Sequence, residues 1–398
     1  MPEQWFRDYI QLQFRMDWHI RKFTESRFVD FYYGPPEWKA AVESEAETPA
    51  PDLVRASMAL LDTLPAQGFE ARRANYLSKQ LVALETVCRK LSGETFTLED
   101  EVQRCFDIRP EWTPETRFEE AHALFEVALP GEGSLYEHME ALRTRFEVAR
   151  DKAALLPGLM RLAMDEARRR TRAFLDMPPQ EEVEMETVSD KLYGGENWYL
   201  GNYRSHVDVN TDLPLTINSL IDLVCHEGYP GHHTEFVLKE RLLYRELGYI
   251  EESIAPIIGP RSVVSEGIAT SAFETIFTHA EAEQWAEEHL YPAAGITPVS
   301  YDMEKLARAR ELMSGIFGNA RFMLSEGRPE NEVIRYLVKY SLYPEEYEQK
   351  EVDFMKDPFR EGYIFTYAYG KQLLKPWLAG PDRQQVFKRL LTEQLCPS

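Results

Sequence analysis

The segment from Cys225 to Glu235 concentrates residue types that bind metal ions. It contains three of the chain's nine histidines, at positions 226, 232 and 233. Neutral imidazoles bind divalent zinc well, and the carboxylate of Glu227 is placed to take a proton from a metal-activated water. Apolar residues at helical spacing over 215–224 precede the segment. They predict that these residues lie at the end of a buried helix.

The spacing of these histidines differs from the usual His-Glu-x-x-His zinc motif, in which both histidines share one helix face. Pro230 has no N–H, and its ring collides with the carbonyl group four residues earlier, so a regular helix cannot run from Glu227 to His232. A glycine on each side of the Tyr-Pro pair permits unusual backbone angles. The sequence therefore predicts a broken turn after Glu227. The path of that turn decides whether His232 or His233 joins His226.

Helical patterns dominate the rest of the chain. Aromatic and apolar residues recur at three- and four-residue steps over 4–32, which predicts one long N-terminal helix. Alternating patterns over 182–188 and 198–209 predict two strands separated by a glycine-containing turn. We therefore expect a mainly α fold with a small antiparallel β-hairpin or sheet just before the metal helix. Such a sheet offers an edge with which an extended peptide can pair.

The change of pattern near residue 180 predicts two parts. An N-terminal helical part covers 1–180, and a catalytic helical part covers 181–398 and contains the sheet and the metal site. One continuous domain that includes both parts is the alternative, since 398 residues suit one or two domains.

The composition limits which binding partners and which cellular compartment we expect for this protein. A formal net charge of −22 argues against nucleic acids and anionic membrane surfaces, which need basic patches. The four cysteines show no paired spacing, which is typical of a reducing compartment. We see no secretory signal and no apolar run long enough to span a membrane. The expected location is the cytoplasm, and the sequence predicts no oligomeric state.

The string from His226 to His233, His-Glu-Gly-Tyr-Pro-Gly-His-His, resembles the motif of a bacterial family of uncharacterised proteins regarded as metallopeptidases and known only as a domain of unknown function. That family resembles the helical zinc peptidases thimet oligopeptidase, neurolysin and carboxypeptidase Taq. Aligning Gly231 and His232 with the Gly-His pair of those enzymes implies His232 as the second ligand. The likeness extends over roughly 180–380 and implies a helical zinc-peptidase-like fold with a deep cleft.

The same resemblance implies further site residues. The segment beginning at Ser265-Glu266-Gly267 resembles the family's Glu-Gly-x-Ala segment, which implies Glu266 as the third ligand of one zinc ion. Tyr367 matches the tyrosine of a Tyr-x-x-Gly segment, which implies that its hydroxyl stabilises the oxyanion of the reaction. Tyr369, which points differently from the same helix, is the alternative donor and a candidate substrate-binding residue.

The residues themselves also suggest partners for the ligands. Glu266, Thr270 and Glu274 are spaced four apart on one face of a mostly apolar helix, where carboxylates need a partner. Thr270 or Glu274 is therefore a candidate for orienting a ligand histidine. Asp222, one turn before His226, is another.

Together these residues predict a zinc-dependent metallopeptidase in which Glu227 is the general base and a peptide is the substrate. Arg204, Arg261 and Arg321 are candidate anchors for a substrate carboxylate, because a guanidinium binds it with two hydrogen bonds. Two alternatives stay open. One is a non-catalytic helical binding protein that keeps the peptidase fold, and the other is a metal-dependent hydrolase of a non-peptide amide or ester.

Overall fold

The computed structural model describes residues 2–24, 26–129, 131–148, 154–212, 215–299 and 301–398. Helices contain 65% of the residues and strands 8%, so the predicted mainly α fold is confirmed. Before residue 181 the described helices are α1 (Pro2–Phe23), α2 (Pro36–Glu43), α3 (Ala50–Thr63), α4 (Ala71–Leu91), α5 (Leu98–Phe106), α6 (Thr116–Ala128), α7 (Leu135–Phe146) and α8 (Leu156–Arg172).

The remaining part of the chain contains the other described helices and most of the strands. Its helices are α9 (Ile217–Glu227), α10 (His232–Lys239), α11 (Pro260–Thr270), α12 (Ala272–Ile276), α13 (His279–His289), α14 (Tyr291–Ala294), α15 (Met303–Leu312), α16 (Ile316–Ser325), α17 (Glu330–Ser341), α18 (Glu345–Met355), α19 (Phe365–Leu378) and α20 (Arg383–Thr392). The strands in the described residues are β1 (Val29–Tyr32), β2 (Glu182–Val188), β3 (Gly195–Gly201), β4 (Arg204–Asn210) and β5 (Ile254–Pro256).

The first helix is shorter than predicted. It ends at Phe23, and the chain then enters β1, which pairs antiparallel with β5. The carboxylate of Asp17 accepts the backbone N–H groups of Phe28 and Val29 at 2.7 and 3.0 Å, and this fixes the change of direction. The aromatic spacing continues across that change, so periodicity alone did not reveal it.

The small sheet also differs from the prediction. The expected second strand, 198–209, is in fact part of a hairpin, because Asn202 and Tyr203 adopt positive φ angles of 53° and 65° and reverse the chain between β3 and β4. β2 pairs with β4 in parallel, so the strand order is β2-β4-β3 and the sheet is mixed instead of purely antiparallel. β3 is an edge strand of this sheet.

Two hydrophobic clusters form the core, and each contains residues from both sides of residue 180. Met164 packs in one cluster with Ile221 of α9, and Leu84 packs in the other with Val263. The β1–β5 pairing also joins the two sides. None of the helices in the described ranges has the length and apolar character needed to cross a membrane.

Candidate metal centre

The broken turn lies where the sequence predicted it. α9 ends at Glu227 and α10 begins at His232. The backbone N–H of Gly231 donates to the carbonyl of Cys225 at 2.9 Å, so the chain folds back on the end of α9. A Cβ on Gly231 would overlap the carbonyl oxygens of Cys225 and His226. The position therefore requires glycine, since no side chain fits this close backbone approach.

The turn brings together the three residues predicted as ligands. Donor atoms of His226, His232 and Glu266 all lie within 4.8 Å of one another. The Nε2 atoms of the two histidines lie 3.4 and 3.8 Å from the two carboxylate oxygens of Glu266. The imidazole rings are 4.9 Å apart and nearly perpendicular, at 86°. Two imidazoles and one carboxylate form a donor set that suits zinc.

The charges around these donors also fit a cation. The Oε2 atom of Glu266 is buried and has no hydrogen-bond partner in the described part of the chain. Burial opposes the charged form of His226, but the carboxylates of Glu227 and Glu266 outweigh it and raise the pKa of this imidazole to about 9. The two nearby carboxylates therefore favour a positive charge between the donor atoms of His226, His232 and Glu266.

A buried hydrogen-bond chain orients His232. The Ser265 hydroxyl donates to Glu235 at 2.6 Å and lies 3.2 Å from His232 Nδ1. Because the hydroxyl proton goes to Glu235, the Ser265 oxygen accepts the proton of Nδ1, and Nε2 keeps its lone pair for a metal. Burial raises the pKa of Glu235, but Lys239, 2.7 Å away, and Arg261 outweigh it and lower that pKa. Neither Ser265 nor Glu235 belongs to the residues predicted from the sequence to support the ligands.

His233 lies on the other side of the turn. Its Nδ1 is 2.8 Å from the Ser205 hydroxyl, and its Nε2 is 3.1 Å from Glu181. Burial lowers the pKa of His233 and favours the neutral ring. Tyr229, within the turn, also donates to Glu181. His233 therefore helps to hold the turn, and His232 is the histidine that faces His226.

Glu181 is a third residue, after Ser265 and Glu235, whose role the sequence pattern did not reveal. It is buried, and Arg168 and Arg172 of α8 bind its carboxylate at 2.8 and 2.6 Å. Burial raises the pKa of Glu181, but hydrogen bonds from His233, Tyr229 and Arg172 outweigh it and lower the pKa to about 2. The available signal was the spacing of the two arginines, one helical turn apart on one face. α8 thus supports the turn through one carboxylate.

Glu227 lies directly beside the three donors. Its Oε1 is 3.9 Å from His226 Nε2, and its side chain lines the cleft. Burial raises the pKa of Glu227, although the two nearby histidines partly offset this. The side-chain amide of Asn197, on edge strand β3, donates to the backbone carbonyl of Glu227 at 2.6 Å. This bond ties the end of α9 to the sheet.

Two tyrosines reach the site from the last part of the chain. The Tyr363 hydroxyl donates to Glu266 at 2.6 Å, and the ring of Tyr367 lies 5.7 Å from that of Tyr363. Both line the cleft, and burial raises the pKa of each phenol far above its usual value. The hydroxyl of Tyr369 instead accepts the backbone N–H of Glu111 at 2.7 Å, so Tyr369 lies away from the donors.

Two glycines allow the helices that carry these residues to touch. α11 carries Glu266 and packs along α19, which carries Tyr367. A Cβ on Gly267 would lie 2.6 Å from the carbonyl oxygen of Gly370. Direct backbone contact therefore sets the distance between Glu266 and the tyrosine side of the cleft.

The predicted orienting residues have other partners. Thr270 donates to the carbonyl of Glu266 at 2.7 Å, within its own helix. Glu274 binds Lys371 at 2.9 Å. Asp222 is exposed and lines a separate, larger cavity of about 1000 Å³. The role expected of these residues belongs to Ser265 instead.

The three arginines predicted as anchors for a substrate carboxylate do not lie together at the cleft. Arg204 is exposed, and its guanidinium lies 3.4 Å from Glu184 on the neighbouring strand, outside the cleft. Arg321 forms an ion pair with Glu361. Arg261 does line the cleft, but it is buried and engaged with an acidic partner.

The cleft around the donors has a volume of about 470 Å³. One wall is formed by the edge strand β3 with the loop that precedes it, and another by the segment that leads into α19. Its lining includes Tyr193, Gly195, Glu196, Asn197, Trp198, Phe354, Arg360, Tyr363 and Tyr367. This volume is typical of a pocket for a small ligand or a short peptide segment.

No family model and no curated protein matches this chain. Its structure is similar to a crystal structure described as "the putative lipoprotein from Colwellia psychrerythraea", with a TM-score of 0.52 and 16% identity. That match covers 88% of this chain and 65% of the other, so this chain spans slightly less than two thirds of that protein. A "putative lipoprotein of unknown function from Shewanella oneidensis" has a TM-score of 0.46 and 11% identity, and the match covers 90% of this chain and 76% of that one. At 16% identity, the likeness to the Colwellia protein extends to the fold alone.

Proposed function

We propose that this protein is a zinc-dependent metallopeptidase. The observation that carries the proposal is the convergence of His226, His232 and Glu266 in one cleft, with the Glu227 carboxylate directly beside them. His226, His232 and Glu266 would hold a zinc ion there, and the ion would supply a Lewis acid for polarising a carbonyl group and activating water. The motif resemblance of the 226–233 segment supports the same reading.

The protein's own residues perform the proton transfers. Glu227 takes a proton from the attacking water and later gives it to the leaving amine. Burial raises the pKa of Glu227, which strengthens it as a base. Tyr367 stays protonated because burial raises its pKa, and its hydroxyl donates to the oxyanion. Tyr363 holds the Glu266 carboxylate in position through their hydrogen bond.

The cleft suits an extended peptide. Residues 195–198 of edge strand β3 form part of its wall. An extended substrate can pair with such an edge by backbone hydrogen bonds. Asn197 connects this strand to the backbone of Glu227, so a substrate paired with the strand would lie next to the base. The predicted cytoplasmic location is part of the proposal, and Cys88, Cys105 and Cys225 are buried free thiols.

The test combines metal analysis with cleavage of a mixed-peptide library, followed by mass spectrometry. We expect one zinc per chain in the wild type and in Glu227→Gln, and less than about a tenth of that in His232→Ala. Glu227→Gln should lower cleavage about 10²- to 10⁴-fold, the usual contribution of a general base. Asp222→Asn, an exposed carboxylate one turn away on α9, is the matched control and should cleave like the wild type.

Three results would contradict the proposal or its mechanism. Absence of stoichiometric metal after zinc supplementation would leave the donors without their ion. Full cleavage by Glu227→Gln would remove the assigned base. Hydrolysis of simple esters or amides without any cleavage of peptides would instead support the alternative of a non-peptide hydrolase.

A further inference from the structure

Arg360 differs from the other arginines that line the cleft in its lack of an acidic partner. The described lining residues include the basic side chains of Arg21, Arg27, Lys191, Arg261 and Arg360. Three of these arginines have acidic partners: Asp17 at 2.6 Å for Arg21, Asp30 and Glu196 at 2.7 Å for Arg27, and Glu252 at 3.3 Å for Arg261. Lys191 is exposed to solvent.

The guanidinium of Arg360 has no hydrogen bond or ion pair within the described part of the chain, and its Nε atom is buried. The acidic residues nearest in sequence are already engaged: Glu361 forms an ion pair with Arg321, and Asp357 has two other donors. The Asp357 carboxylate accepts the backbone N–H of Phe359 at 2.9 Å and the hydroxyl of Ser26. A structural arginine normally pairs with an acidic group, because an unpaired buried donor costs free energy. Arg360 therefore has capacity for a partner from outside the chain.

Arg360 lies close along the chain to a tyrosine that contacts the candidate metal site. The N–H of Tyr363 donates to the carbonyl of Arg360 at 2.9 Å, so the two residues share one turn, and Tyr363 contacts Glu266. Burial raises the pKa of Tyr367 and of Glu196, and the charge of Arg360 opposes both effects. Its charge therefore acts on both walls of the cleft, the tyrosine side and edge strand β3.

The size of the cleft limits what Arg360 can hold. Arg360 and the metal donors line the same space, which has a volume of about 470 Å³. A pocket of this size encloses a ligand of roughly drug size, which corresponds to a few residues of a peptide. A group bound by Arg360 would therefore belong to a residue close to the cleaved bond.

We infer that Arg360 binds a carboxylate of the peptide substrate, within a few residues of the bond that is cleaved. A guanidinium recognises this group with two parallel charge-assisted hydrogen bonds. The carboxylate belongs either to the C-terminus of a short peptide or to an acidic side chain near the cleavage point. The inference rests on the proposed peptidase function for its substrate, and its test is a binding measurement that needs no turnover.

The measurement is calorimetric binding to the Glu227→Gln protein, in which a bound peptide stays intact. The probes are N-acetyl-Ala-Ala-Phe as the free acid, the same peptide as its C-terminal amide, and N-acetyl-Ala-Ala-Glu amide. We expect the free acid to bind about 10- to 100-fold more tightly than the Phe amide. Adding Arg360→Ala should abolish that difference, and Arg360→Lys should restore part of it. Arg204→Ala, which removes an arginine outside the cleft, is the matched control.

The outcomes separate the carboxylate sources. Tighter binding of the Glu amide alone, lost with Arg360→Ala, supports the inference and assigns the carboxylate to a side chain. Binding that is equal for all three probes, undetectable for all, or unchanged by Arg360→Ala overturns it. An unchanged melting temperature of Arg360→Ala excludes misfolding as the cause of an effect.

The outcomes also separate this inference from the proposed function. If the wild type cleaves peptides and Arg360→Ala leaves the acid-to-amide ratio of kcat/KM unchanged, the peptidase proposal stands and the role of Arg360 falls. If carboxylate binding depends on Arg360 in a protein that cleaves no peptide, the binding role stands and the peptidase proposal falls.

Discussion

The carbonyl oxygen of His226 occupies the space that a Cβ on residue 231 would fill. His226, the first of the two histidines proposed as ligands, thus requires through its own backbone carbonyl that the residue before His232 is glycine. This contact explains how two histidines six positions apart can face one position. In a regular helix such a pair would point in widely different directions.

Gly231→Ala should therefore remove the metal site. The added methyl group overlaps two backbone carbonyls, so the turn must open and His232 must move away from His226. We expect zinc content to fall to less than about a tenth of the wild type, with a lower melting temperature. Elemental analysis and calorimetric melting measure these effects. Gly194→Ala is the control because no atom lies within 4 Å of its added Cβ. Normal zinc content in Gly231→Ala would show that the turn tolerates a side chain.

Ser265→Ala should weaken metal binding without unfolding the protein. It removes the hydroxyl that accepts from His232 and donates to Glu235, so the imidazole loses its fixed tautomer. Residues in such supporting positions change metal affinity about 10- to 100-fold. Competition with a fluorescent zinc chelator measures the affinity. Thr270→Val, which removes a hydroxyl bonded within its own helix, should change it much less. Equal affinities for both variants would contradict the assigned role.

The tyrosines differ in their expected kinetic effects. Tyr367→Phe should lower kcat about 10²- to 10³-fold, with little change in KM, because it removes a donor needed mainly in the transition state. Tyr369→Phe removes a hydroxyl that accepts the N–H of Glu111, and we expect near-normal kcat. Steady-state kinetics on one peptide substrate decides between them. A large loss of kcat in Tyr369→Phe with normal turnover by Tyr367→Phe would reverse the assignment.

Glu348 makes stability depend on pH. Burial raises the pKa of this carboxyl to about 7, although Ser341 donates to it, and its Oε2 atom has no partner in the described structure. The folded protein holds a proton that the unfolded chain releases above about pH 4.5. Stability therefore falls as the pH rises from about 4.5 to above 7.

The Glu348→Gln substitution removes the free-energy cost of ionising this buried carboxyl group. At pH 8 the variant should be about 3 kcal/mol more stable than the wild type, and at pH 5 the difference should be small. Urea unfolding at the two pH values measures both. Glu346→Gln, an exposed carboxylate on the same helix, provides the comparison. If the stability of Glu348→Gln varied with pH as much as that of the wild type, the Glu348 carboxyl would not be the cause of the pH dependence.

Local constraints made part of the site predictable. The missing N–H of Pro230 and the glycines around it act within a few residues, so the break between Glu227 and His232 followed from the sequence. The placement of Glu266 came from motif resemblance, and the structure puts it beside both histidines. The mainly α class followed from periodicity over many helices.

Long-range contacts were beyond the sequence patterns. Glu181 joins Arg168 of α8 to His233, and these positions are 13 and 52 residues away along the chain. The turn at Asn202 was not predicted, because the alternating residue pattern of a strand continues through it. In both cases, tertiary hydrogen bonds decide the structure, whereas periodicity reports only which face of an element is buried.

The hydrogen bond from Tyr363 to Glu266 spans 97 residues. During synthesis, a growing chain therefore exposes both histidines and Glu266 well before the tyrosine side of the cleft exists. The backbone contact between α11 and α19 also forms only after residue 370 has been added. Under the proposed function, the order of the chain keeps the nascent protein inactive, so it cannot cleave neighbouring unfolded chains before its own folding is nearly complete.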